Sequence, residues 1–171
     1  MAVIGSHLGM NFTVDDLDIE NVEYFRHCAA HNFHLQQCVA CGLLRYPPTT
    51  ACPFCATAES RWVPVEGKGT VHSYAEVHHA IQPAFKGHVP YLVLMVDLDT
   101  QKGRPTPDDA LRVVGNLVTP DGALAPPDQV RRVGIGTRVR MAFSDAGEGI
   151  SLPQWTIDES ATQPTPWRYP D

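Results

Sequence analysis

The chain is predicted to be mainly β, with an N-terminal helix, a short ribbon stapled by four cysteines and a five-stranded barrel. Three observations predict it. Two C-x-x-C units, Cys38/Cys41 and Cys52/Cys55, stand close together in the sequence. Beyond residue 65, five segments rich in β-branched and aromatic residues follow one another at 70–78, 91–98, 111–118, 137–143 and 151–157. Ahead of the cysteines, apolar residues recur at helical spacing.

The helix is expected over 13–32. Thr13 can cap it, Asp15 and Asp16 suit its positive end, and Val14, Leu17, Val22, Phe25 and Ala29 fall near one face. Cys28 reads as a small apolar residue on this helix. Glu23, His27, His31 and His34 follow at spacings of three and four. They are either a polar face with an i,i+4 Glu–His pair or, less favoured, a second metal site.

Two C-x-x-C turns can place four thiolates around one tetrahedral ion, so Cys38, Cys41, Cys52 and Cys55 are the candidate metal ligands. With four protein sulfurs bound, no position remains for water or substrate. The ion would fold the segment and not catalyse. Zinc is the default, and iron in a rubredoxin-like site would use the same ligands. Two disulfides or a redox-active pair are the competing readings. Gly42 supplies the positive φ that such a turn needs, whereas Ala56 stands at the equivalent place in the second turn.

The five later segments, with glycines where a sheet must bend, describe a small barrel of the OB type, with a short helical turn near 130–133. The expected units are 1–32 with the helix, 33–65 as ribbon, 66–157 as barrel, and a Pro-rich tail at 158–171. Trp167 and Tyr169 imply that the tail is ordered only against the barrel or another chain; a disordered end is the alternative.

Composition narrows the function. A net charge of −6 lacks the basic footprint that binds nucleic acid. No apolar run reaches the roughly 20 residues needed to cross a bilayer. Residues 1–10 carry no signal-peptide pattern, so a reducing cytoplasm is expected. No G-x-S-x-G elbow or other catalytic grouping stands out, and no catalytic residue is assigned.

The order Cys38-x-x-Cys41-Gly42, Arg45-Tyr46-Pro47-Pro48, Cys52-Pro53-x-Cys55, Trp62-Val63-Pro64-Val65, Gly67-x-Gly69-Thr70-Val71, Pro90-Tyr91 and Val133-Gly134 resembles a bacterial and archaeal family that joins a rubredoxin-like zinc ribbon to an OB fold. The resemblance covers about 14–157. Ala56, the extended N-terminus and the insert at 100–110 depart from its pattern. It implies a non-catalytic companion of thiolase-like acyl-CoA enzymes: β-ketothiolases, hydroxymethylglutaryl-CoA-forming assemblies, C-acyltransferases or steroid side-chain aldolases. Such a companion stabilises its partner in a hetero-oligomer and helps shape the channel for a CoA thioester. The long 78–90 loop is the natural lip of that channel, with Phe85, Lys86, His88 and Tyr91 as candidates for touching substrate or partner. The alternatives are a nucleic-acid-binding ribbon/OB module and a stand-alone acyl-CoA-binding protein.

Overall fold

The computed structural model describes residues 3–170. Met1, Ala2 and Asp171, the ends of the first and last expected units, lie outside the described residues.

The chain opens with a β-hairpin where the start of the helix was expected. Strand β1 (Val3–His7) pairs antiparallel with β2 (Met10–Val14). Leu8 and Gly9 form the two-residue turn, both with positive φ (52° and 79°). That geometry matches the right-handed twist of the paired strands. Thr13 therefore sits in β2 opposite Ile4 and caps nothing.

Helix α1 spans Ile19–Ala29, shorter than the 13–32 expected. Its cap is Asp18, whose carboxylate accepts the Asn21 amide N–H at 3.2 Å. The buried face is Val22, Tyr24 and Cys28, with Phe25 half-buried, whereas Leu17 is 87% exposed. The face is rotated because Tyr24 is the anchor. Its ring packs 5.4–6.4 Å from Phe25, Phe33, Tyr46 and Trp62, in an aromatic cluster that joins the helix to the ribbon. Burial pushes the Cys28 thiol up to about 12, as suits a small core residue and not a nucleophile.

The ribbon is a three-stranded antiparallel sheet, β4 (Leu44–Arg45), β3 (His34–Cys38) and β5 (Ser60–Pro64), in that order. Arg45 is buried and ties its layers together. Its guanidinium donates to Gln36 Oε1 at 3.0 Å, the Thr49 carbonyl at 2.8 Å and Ser60 Oγ at 3.2 Å.

The barrel strands lie where the sequence pattern puts them: β6 (Lys68–Val77), β7 (Tyr91–Leu98), β8 (Arg112–Asn116), β9 (Arg138–Asp145) and β10 (Ser151–Ile157). Their order is β10-β9-β6-β7-β8, and a parallel bridge between Leu117 and Trp155 joins the two outer strands into a nearly closed barrel. A bulge between Val71 and Ser73 lets the long β6 bend. Helix α2 (Pro127–Arg132) seats Val130 in a core shared with Leu92, Leu94, Val113, Val139 and Trp155. The insert at 100–110 anchors the ribbon: Gln101 accepts the Leu44 N–H at 2.6 Å and donates to its carbonyl at 2.9 Å.

The tail is ordered against the barrel. Trp167 exchanges two backbone hydrogen bonds with Ile135, both 2.9 Å, and Gln163 bridges to the Arg138 backbone.

Candidate functional site

The turns on either side of β4, one from β3 and one into β5, bring the four cysteines together. Their sulfurs all lie within 4.8 Å of one another, with Cys38 Sγ 3.5 Å from Cys55 Sγ and Cys41 Sγ 3.7 Å from Cys52 Sγ. A tetrahedron with metal–sulfur bonds of about 2.3 Å has edges of about 3.8 Å, so the donor set can hold a metal such as zinc. Each turn aims backbone N–H groups at sulfur. Cys52 and Cys38 carbonyls accept from Ala56 (2.8 Å) and Gly42 (3.0 Å), which closes the two turns in the same way. Hydrogen bonds from Cys41 and Ala40 backbone lower the Cys38 pKa, and the Thr57 side chain and backbone lower that of Cys55 to about 6. For Cys41 the Leu43 N–H pulls the same way, but burial and the three neighbouring sulfurs push it to about 11. Four adjacent thiolates need a cation.

Gly42 has φ 73° and Ala56 φ 61°. The second is a left-handed conformation that costs an L-residue about 1–2 kcal/mol. Ala56→Gly is expected to stabilise the metal-loaded ribbon by about 1 kcal/mol, read as slower metal transfer to a chelator.

The histidine row does not gather into a metal site. His31 turns to Asp145 (2.7 Å) and stacks on Phe143, whereas Glu23 lies 3.7 Å from His27, the i,i+4 pair expected from the spacing, and bonds Arg26 at 3.1 Å; His27 also stacks on His34 with ring centroids 4.0 Å apart. Among the described residues the four cysteines form the only group of metal-binding side chains.

The 78–90 loop carries a 3-10 turn, Pro83–His88. Phe85 is half-buried between Tyr91 (5.0 Å between centroids) and His7 (6.1 Å), while Lys86 and His88 are exposed. The hairpin thus reaches the rim of the barrel, an arrangement without a sequence signal. Burial, then the nearby His88, lowers the His7 pKa. On the barrel's side, a cleft of about 390 Å³ is lined by Tyr74, Glu76, His78, Ile135, Trp167 and Tyr169, among others. Trp167 and Tyr169 signalled an ordered tail in the sequence, but not this cleft.

No helix among the described residues is long and apolar enough to cross a membrane. Residues 62–144 match the model of the ChsH2 C-terminal OB-fold domain. A curated relative from Thermomonospora curvata, named probable enoyl-CoA hydratase alpha subunit, is 31% identical over 134 residues, which is 78% of this chain and 36% of the relative. The chain thus spans about a third of that relative's length. Among solved structures, a chain of the Ltp2-ChsH2(DUF35) aldolase is similar at TM-score 0.65 and 29% identity, covering 84% of this chain and 98% of that one. Residues 62–144 are thus similar to the ChsH2 C-terminal OB-fold domain, and the chain as a whole to a chain of the Ltp2-ChsH2(DUF35) aldolase.

Proposed function

We propose that this chain is a non-catalytic accessory subunit of an acyl-CoA enzyme, partnered with a thiolase-like catalytic subunit that makes or breaks a C–C bond on a CoA thioester. The observation that carries this reading is the likeness to the Ltp2-ChsH2(DUF35) aldolase across nearly the whole of the matched chain. The ribbon, held by zinc on Cys38, Cys41, Cys52 and Cys55, acts as a rigid arm, and its tip presents the exposed Val39 and Phe54. The 78–90 loop is the lip of the acyl-CoA channel. Phe85, clasped by Tyr91, holds the turn in shape, so that Lys86 can meet a phosphate of the CoA head or a carboxylate of the partner.

Replacing Phe85 and Lys86 together with Ala is expected to lower kcat/KM of the complex for its acyl-CoA about tenfold through misplacement of the lip. The circular-dichroism melt of the chain alone should move little. The measurement needs the chain co-expressed with the thiolase-like subunit of its source organism. Turnover of an acyl-CoA by this chain unaided, or a partner fully active and stable without it, overturns the reading.

The relative named as a hydratase subunit favours a second reading, the same accessory role beside an enzyme that hydrates an enoyl-CoA. Assaying the purified complex for hydration and for C–C cleavage separates the two.

A further inference from the structure

The tail after β10 is clamped to the barrel by its backbone, and the clamp leaves its aromatic rings outside. Trp167 pairs with Ile135, the Tyr169 N–H donates to Tyr74 Oη at 2.8 Å, and Arg168 donates to the carbonyls of Val130 and Val133 and pairs with Glu76. Gly134 permits the approach, because a Cβ there would stand 2.2 Å from the Trp167 carbonyl oxygen. Yet Tyr169 is 77% exposed and Trp167 54%, edge to face at 6.1 Å. These rings add little to the chain's own core, while the polar ties hold them in one place. Rigidly presented Trp and Tyr side chains are the commonest anchors of protein interfaces.

The apolar surface continues beyond them. Ile135 adjoins Trp167, and the cleft behind the rings shares Ser73 and Tyr74 with a shallow apolar groove over β6, β7 and β8. There Met95 and Val114 lie directly opposite each other, both exposed. Strand β7 reads Tyr91-Leu92-Val93-Leu94-Met95-Val96, apolar on both faces, as a strand does when both faces are covered.

Charge distinguishes what covers this surface. In the cleft Glu76 is already paired with Arg168 and lies 3.3 Å from His78. In the adjoining hollow of about 600 Å³, Arg131 is exposed and makes no ion pair or hydrogen bond among the described residues. Among the described residues that line this hollow, a second copy meeting it face to face could offer Arg131 only Glu76, which is taken. Nucleic acid and anionic membrane would meet a chain of net charge −6. A protein surface that is apolar at its centre and carries a carboxylate at its rim satisfies both the rings and Arg131.

We propose that the platform of Ile135, Trp167 and Tyr169, continued by Met95 and Val114, is the seat of the larger catalytic subunit, which sets an apolar segment against the rings and a carboxylate against Arg131. This rests on the accessory-subunit reading. The test measures binding of the full metal-loaded chain to the purified Ltp2-type aldolase subunit of the same source, at two salt concentrations. Trp167→Ser with Tyr169→Ser is expected to weaken binding about 30-fold or more, as loss of interface anchors does. Arg131→Glu is expected to weaken it about tenfold and to flatten its salt dependence. Ile4→Ser, which removes a 68% exposed apolar side chain from the N-terminal hairpin, should leave binding unchanged. Acrylamide quenching of Trp167, read in a Trp62→Phe background because Trp62 is itself part-exposed, should fall on binding, since Trp155 is already fully buried. Unchanged hydrogen exchange at 133–137 in the free variants shows that the barrel is intact. Wild-type binding that survives these substitutions overturns the platform and leaves the accessory role standing. No binding by the wild-type chain overturns both. A homodimer of this chain that the same substitutions abolish overturns the assigned occupant.

Discussion

Stripping the metal with a chelator, or replacing Cys38 with Ser, is expected to unfold the ribbon while the barrel stays folded. The ribbon has little else to hold it: β4 is two residues long, and the sheet's fully enclosed apolar side chains are few, chiefly Leu35. Binding of a structural zinc contributes about 10 kcal/mol or more in small domains, far above what such a core supplies. Loss should spread to α1, because Tyr24 packs on Tyr46 and Trp62 of the ribbon. It should stop at Gln101, whose two hydrogen bonds to Leu44 are the ribbon's polar tie to the 100–110 insert. Amide hydrogen exchange should therefore rise throughout 34–64 and in the helix, with β6 to β10 protected. Elemental analysis is expected to give one zinc per chain. Iron in its place, or a fully protected ribbon in metal-free protein, would refute the assignment.

The parts legible in the sequence are those set by strictly local chemistry. The C-x-x-C spacing fixes which sulfurs can meet, and Ala56 at φ 61° was readable from its alignment with Gly42. The barrel strands were readable because Leu92, Leu94 and Val96 fill the interior at period two while turn residues bound each segment. The N-terminal hairpin was not. Its turn carries Leu8 rather than Asn or Asp at the first positive-φ position, and its residues from Thr13 onward also fit a helical period. Tertiary contact decided the helix face as well: a Tyr is ambiguous by composition, and only the surrounding Phe33, Tyr46 and Trp62 make Tyr24 the anchor. The tail's position depends on Gly134 meeting the Trp167 backbone across a gap of over thirty residues, a pairing with no local trace. The platform that we propose as the partner's seat depends on that pairing.

Trp155→Ala is expected to cost about 3–5 kcal/mol, the range for truncating a buried aromatic residue. Against a domain stability of about 5–15 kcal/mol, this is enough to leave the barrel marginal. Trp155 is the largest fully buried side chain, and it sits at the seam where β8 and β10 meet. The backbone contributes little to that seam: one bridge to Leu117, with the Val118 N–H donating to the Trp155 carbonyl at 2.8 Å. Two side chains do the rest: Gln154, whose Oε1 accepts the Asn116 N–H at 2.6 Å, and the Trp155 indole. Its Nε1–H donates to the Val113 carbonyl at 3.2 Å, and its ring lies where a Cβ on Gly115 would come within 3.1 Å of Cδ1. Truncation would therefore open a cavity and also lose this hydrogen bond. Trp155→Phe fills most of the space but still loses that hydrogen bond, so it should cost about 1–2 kcal/mol. Urea unfolding of the metal-loaded chain measures both, and exchange at Val113, Leu117 and Val118 should quicken before the rest of the barrel. A loss under about 1 kcal/mol for Trp155→Ala would mean that some other contact closes the seam.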